Sequence, residues 1–257
     1  MSVSHQLAAF LLEKAHEYNQ PEFILEDPIS LPHRFSDPRD IEIIGFWVAM
    51  LAWGQRKTII NKGEELIRLM DGAPYDFIYH HTEEDRKRFL DFKHRTFQAT
   101  DTLYFLSFLQ EHYHQSQSLE DAFIPFGKSD SNFTIKESLT HFHNTFFQLP
   151  YAPRRTQKHV ATPARNSSCK RLNMFLRWMV RKDDKGVDFG LWDKIKPEQL
   201  HIPLDVHVEK IARKYQLLRR KSRDWKAVEE LTNAARQIHP EDPALLDYAL
   251  FGISVYG

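Results

Sequence analysis

The chain has 257 residues, with 35 lysines and arginines against 35 aspartates and glutamates, 19 phenylalanines, 9 glycines and 1 cysteine. At roughly 100 to 200 residues per domain, that length suits one large domain or two closely packed lobes. A single cysteine excludes a disulfide framework, a multi-thiolate zinc site and a four-thiolate iron–sulfur cluster.

The longest apolar run, Ile43 to Trp53, is 11 residues, well short of the roughly 20 that a bilayer crossing needs, so no membrane partner is expected. Glycine is scarce, alternating apolar and polar runs are nearly absent, and three-four spacing recurs throughout, which predicts an all-α fold. Ser4 to Asn19 reads as an amphipathic helix rather than a leader peptide, and a cytoplasmic location is expected. The stretch EDPISLPHRFSDPRD, with three prolines, reads as an ordered connection. Asp40 then opens a buried helix through Trp53. Gly54-Gln55-Arg56-Lys57 interrupts the apolar pattern before a helix bearing Ile59, Ile60, Leu66, Ile67 and Met70, which Asp71-Gly72-Ala73-Pro74 ends.

Helices follow over Glu83–Asp91, Asp101–His114, Ser118–Phe123 and Thr134–Gln148, and Leu149 to Arg165 reads as a loop. The helix Ser168–Arg181 sends Leu172, Phe175, Leu176 and Met179 to the core and leaves Arg171, Asn173, Arg177 and Arg181 on other faces. Asp205 is placed to cap the next helix, whose apolar stripe is Val208, Ile211, Ala212 and Tyr215. Helices near Trp225–Ile238 and Pro243–Val255 complete the chain. One two-lobed helical domain over residues 1–257 is expected, with lobes 30–150 and 1–29 plus 151–257.

The zero net charge conceals strong polarity. Tyr151 to Lys182 contains nine basic residues and no acidic one, and Val206 to Lys226 has eight basic residues against Glu209 and Asp224. Residues 1–150 carry a net charge of −8. Such asymmetry favours an anionic polymer as partner, unless the cations are balanced in three dimensions. Within the basic segments, Lys170 and Asp205 are suited to chemistry on a sugar carbon. An amine can form a Schiff base there, and a carboxylate at a helix N-terminus can stabilise positive charge developing on the sugar. The plain alternative is a solvated first-turn lysine and an ordinary N-cap aspartate.

Three stretches carry a family resemblance. Ile202-Pro-Leu-Asp205-Val-His207-Val208 resembles the V-P-V-D-x-H-[VM] segment of the helix-hairpin-helix DNA glycosylase superfamily, and Asn166-Ser167-Ser168-Cys169-Lys170-Arg171-Leu172 aligns with its L-P-G-V-G-x-K-x-A hairpin. Phe46 to Lys62 is similar to the buried helix of that superfamily that ends in L-S-x-Q-x-x-D. The spacing of lysine and aspartate resembles the archaeal oxoguanine glycosylase type most. The resemblance implies Lys170 as nucleophile, Asp205 as the catalytic carboxylate and Gln55 as the wedge that fills the space of an extruded base. It also implies DNA contacts from Arg56, Lys57, Asn166, Ser167, Ser168, Arg171 and His207. A monomer acting on double-stranded DNA with a damaged base or abasic site, without metal or cofactor, is expected, its cleft lying between the basic lobe and the Gln55 region. The two hairpin glycines are replaced here by Asn166 and Ser168, which puts phosphate binding by the hairpin in question. The whole chain also resembles an uncharacterised bacterial family marked by A-W-G-Q-R, C-K-R-L-N-x-F-L-R-W-M-V-R and P-L-D-x-H-V.

Two other readings stay open. A non-catalytic module that recognises bent or damaged nucleic acid would keep the basic segments and Gln55. A helical metal-dependent phosphohydrolase is prompted by His112-x-His114 and His141-x-His143, although residues i and i+2 of a helix do not share a face.

Overall fold

Asp37, rather than Asp40, starts the buried helix. Its carboxylate accepts the Arg39 N–H at 2.9 Å, and Pro38 fills the first helical position, where its missing N–H leaves nothing unpaired. The protein, seen here as a computed structural model, is described over residues 3–128 and 132–257. These are organised by helices alone, apart from two isolated bridges. Among the described residues, no helix is long and apolar enough to cross a membrane.

The chain divides into two compact units. One, called here the aromatic unit, comprises Glu26–Gly127 and His141–Ala161. The other, the terminal unit, comprises Met1–Leu25, Lys128–Thr140 and Thr162–Gly257. Residues 1, 2 and 129–131 of the expected lobes lie outside the described residues.

The aromatic unit holds α2 (Pro38–Leu51), α3 (Arg56–Leu69), α4 (Pro74–His80), α5 (Glu83–Arg86), α6 (Ala99–Gln115) and the second half of α7 (Ile135–Phe146). Helix α2 stops at Leu51, two residues short of the expected Trp53, and Arg56 and Lys57 begin α3 rather than interrupt the pattern. Pro74 opens α4 instead of merely ending α3, because proline is pre-set for the first helical turn. The expected helix Glu83–Asp91 is α5 followed by a 3-10 turn, and Leu119–Phe123 is also 3-10. Rings fill the core: Phe46 stacks on Phe105 at 5.5 Å, and Phe123 lies flat on Phe142 at 3.9 Å. Glu42 is buried on α2 but satisfied, accepting from the Tyr113 hydroxyl at 2.8 Å and the Leu119 N–H at 2.8 Å.

The terminal unit holds α1 (His5–Tyr18), the start of α7, α8 (Lys170–Val180), α9 (Val206–Lys214), α10 (Trp225–Arg236) and α11 (Leu246–Tyr256). Helix α11 packs against α1 and α9. The approach of α1 is close because Gly252 has no side chain: a Cβ there would sit 2.2 Å from the Tyr18 ring. Helix α8 is buried almost all round. Trp178 joins the apolar stripe inside, and so do Asn173 and Arg177, while Arg181, which follows the helix, is buried as well; this corrects the expected place of Asn173, Arg177 and Arg181 on other faces.

Candidate active site

A short, tied-down hairpin leads into α8. Thr162 caps a 3-10 turn over Pro163–Arg165, and Asn166 then takes the left-handed conformation, φ +56°. Its side-chain amide donates to Asp224 at 3.1 Å, its carbonyl accepts the Trp225 N–H at 3.2 Å, and Ser167 pairs with Asp224 as an antiparallel bridge. The second left-handed residue is Cys169, φ +49°, and not Ser168. The glycine-like turn has therefore moved one residue along from where the hairpin alignment puts it. Burial raises the Cys169 thiol to about 12, so it stays neutral.

Lys170 is the first residue of α8, and Asp205 is the N-cap of α9. Asp205 divides its two oxygens. Oδ1 accepts the N–H groups of His207 at 2.9 Å and Val208 at 3.0 Å, while Oδ2 lies 3.9 Å from Lys170 Nζ. The cap fixes the carboxylate in place and leaves one oxygen for the ammonium. Both side chains are about a quarter exposed, 27% and 22%, so the pair is reachable from solvent. Lys170 Nζ also contacts the Met174 sulfur at 3.6 Å, one turn along α8.

Behind this pair lies an ionic network that the charge count conceals. Arg177 bonds Asp247 and reaches Asp188 at 3.3 Å. Arg181 contacts Asp183, Asp188 and Asp242 at 2.7, 3.2 and 2.8 Å. The Tyr248 hydroxyl donates to Asp188 at 2.9 Å. The Asp247 carboxyl is raised to about 6, because burial, aided by the charge of Asp205, outweighs the opposite pull of Arg177 and Lys170. Asp247 thus senses both members of the exposed pair. The signal missed in the sequence is a lone aspartate inside the apolar run Ala244 to Phe251.

Two cations of the basic segment, Arg177 and Arg181, are thus neutralised internally, by Asp183 and Asp188 close by in the chain and by Asp242 and Asp247 far along it. In the aromatic unit Arg155 is held likewise, by buried Asp101 at 2.7 Å. Arg171 is half-buried, which lowers its guanidinium to about 10. His207 is exposed, its ring nitrogen 3.2 Å from the Ser254 hydroxyl.

Gln55, Arg56 and Lys57 belong to the aromatic unit. Gln55 caps α3 by backbone geometry only, with its side chain exposed and unused as a cap. Gly54 ahead of it has φ +107°, which glycine alone adopts readily. The paired histidines do not converge: His112 and His114 bond the carbonyls of Ser118 and Tyr79, His143 bonds that of Val160, and His141 lies 3.3 Å from the Thr145 hydroxyl. Among the described residues no three His, Cys, Asp or Glu side chains form a metal-ligand group. A surface groove of about 570 Å³, lined by Leu7, Lys214, Tyr215, Arg219 and Gln237 among others, contains neither Lys170 nor Asp205.

Residues 27–256 match the model of one family, described as "Protein of unknown function (DUF2400)". The chain belongs to the DUF2400 family. No curated protein and no solved structure matches it.

Proposed function

We propose that this DUF2400 protein is a DNA repair glycosylase with lyase activity, acting at a damaged base or abasic site in double-stranded DNA. The observation that carries this reading is the approach of Lys170 Nζ to Asp205 Oδ2 at 3.9 Å, each at the start of its own helix and open to solvent. A lysine and a capped carboxylate side by side form the pair that sugar chemistry at C1′ requires. As the N-glycosidic bond breaks, the base departs with the bonding electrons, and Asp205 stabilises the cationic sugar. The Lys170 ammonium gives one proton to the departing base anion, and the lone pair so freed forms the C1′–N bond. Loss of a second proton from that nitrogen and opening of the sugar ring, whose oxygen takes up a proton, give an iminium; removal of a C2′ proton then expels the 3′ phosphate and cuts the strand.

The left-handed Asn166, followed by Ser167, keeps a tight turn ahead of α8 where the superfamily has its hairpin. Gln55 at an exposed helix start is suited to the wedge role, and extrusion of a nucleotide costs a few kcal/mol that such a wedge helps to offset.

Borohydride trapping on duplexes containing an abasic site, oxoguanine or uracil tests the reading. Wild type should give a covalent adduct that Lys170→Gln and Asp205→Asn lose. Equal trapping by wild type and Lys170→Gln would remove the lysine from its role. A duplex bound tightly and never trapped would assign a binding function without chemistry.

A further inference from the structure

The connection between α9 and α10 is built with unusual care for a surface loop. Glu230 accepts the backbone N–H groups of Arg219 at 2.8 Å and Arg220 at 3.1 Å. From the other side, the Arg213 guanidinium donates to the carbonyls of Arg220 at 2.6 Å and Lys221 at 3.1 Å while Glu209 holds it at 2.7 Å. Arg223 is bonded to the same Glu209 at 2.7 Å, and Arg220 to Asp224 at 2.6 Å. The acidic groups here are thus taken up in shaping the loop. Lys210, Lys221 and Lys226 are exposed and have no ion pair among the described residues.

Two further observations bear on what this surface meets. Lys226 lies in the first turn of α10, whose N-cap is Asp224, and Lys170 and Arg171 in that of α8, with Asp205 beside Lys170. A cation in a first turn opposes the helix dipole, and because Asp224 is taken up by Arg220, Asn166 and the Ala227 N–H, an outside anion placed against Lys226 is favoured. The two helix starts are also stitched together, because Asp224 pairs with Ser167 and receives the Asn166 amide. The hairpin and the loop therefore form one continuous surface of the terminal unit. None of the large apolar side chains exposed in the described chain falls between residues 207 and 254, so the loop has nothing to insert into a lipid layer.

We infer that the loop Leu218–Lys226 is a second phosphate-contact surface, continuing the hairpin and gripping the duplex backbone through Lys221 and Lys226. The assignment rests on the duplex partner proposed above, but not on the lysine chemistry. Backbone phosphates are the fitting ligand because Lys221 and Lys226 present separate point charges on a clamped backbone, and neither lines the groove to which Tyr215 and Arg219 belong.

The test is a salt titration by fluorescence anisotropy on a labelled duplex carrying a tetrahydrofuran abasic analogue. Wild type is compared with Lys221→Ala/Lys226→Ala and with a control of equal charge change, Lys14→Ala/Lys185→Ala. Loss of two phosphate contacts should lower the slope of log K against log salt by about 1.8 and weaken binding about tenfold or more near 0.1 M salt. The control should match wild type, and trapping of a true abasic duplex at saturation should persist in all three. An unchanged slope in the loop variant, or an equal loss in the control, would overturn the loop assignment and leave the glycosylase reading standing. A reduced slope with no trapping by wild type would keep the loop and discard the chemistry. A wild type that binds anionic phosphatidylserine vesicles through these lysines and no duplex would overturn both.

Discussion

Lys170 Nζ stands 3.9 Å from Asp205 Oδ2 although 35 positions separate the two residues in the chain. The contact exists because α8 and α9 begin at the same place, and because Asp205 commits its other oxygen to capping α9. Cap and charge can be separated by substitution. Asp205→Asn keeps the capping oxygen and should stay within a few tenths of a kcal/mol of wild-type stability, whereas Asp205→Ala should lose about 1 kcal/mol. Both should lose the borohydride adduct. Chemical denaturation beside trapping checks this, and full trapping by Asp205→Asn would contradict a role for the charge.

Arg177 is 4% exposed and shared by Asp188 and Asp247. Arg177→Met should strand the buried Asp247 carboxylate, take one of two arginine partners from Asp188 and cost roughly 3 to 5 kcal/mol at pH 7. Adding Asp247→Asn should return part of that loss, because it removes the stranded charge. A thermal midpoint for the single variant within 2 °C of wild type, an interval of about 1 kcal/mol or less, would contradict the account.

The acid response includes two opposed contributions, from His201 and Asp247. His201 is buried against Trp225 and lowered to about 4 by desolvation and then by the Arg236 charge. Between pH 6.5 and about 4 the unfolded chain takes up that proton and the folded one does not, so stability falls as the pH drops through this window. The contribution is on the order of 3 kcal/mol. Asp247, raised to about 6, acts in the opposite sense: the folded chain binds its proton first, and stability rises as the pH falls from about 6 toward the ordinary carboxyl range. His201→Gln should therefore flatten the acid unfolding curve and Asp247→Asn should steepen it. Identical pH profiles for all three proteins would refute both assignments.

Gly252→Ala should destabilise by about 1 to 3 kcal/mol even though alanine favours helix, because the added methyl would sit 2.2 Å from the Tyr18 ring. Tyr18→Ala in the same chain should recover the helix-propensity gain. Calorimetry of the single and double variants gives the coupling, and additive effects would show that α1 does not pack on α11 at this point.

Residue pattern alone was enough to read the helical class, the apolar stripes of α8 and α9, the N-cap at Asp205 and the first-turn position of Lys170. These are local matters of periodicity and of short side chains reaching their own backbone. Helix α4 escaped it because Pro74 serves equally as terminator and as first helical residue, and the 3-10 turns escaped it because they leave no apolar period. The charge ledger was misleading for a different reason. Arg155, Arg177 and Arg181 look like a surface for an anionic partner only until Asp101, Asp188, Asp242 and Asp247 are folded against them. Which cations stay exposed, and that Lys170 meets Asp205, was decided by the tertiary structure, since Coulomb attraction depends on distance through space and burial, and neither is written in the spacing of residues along the chain.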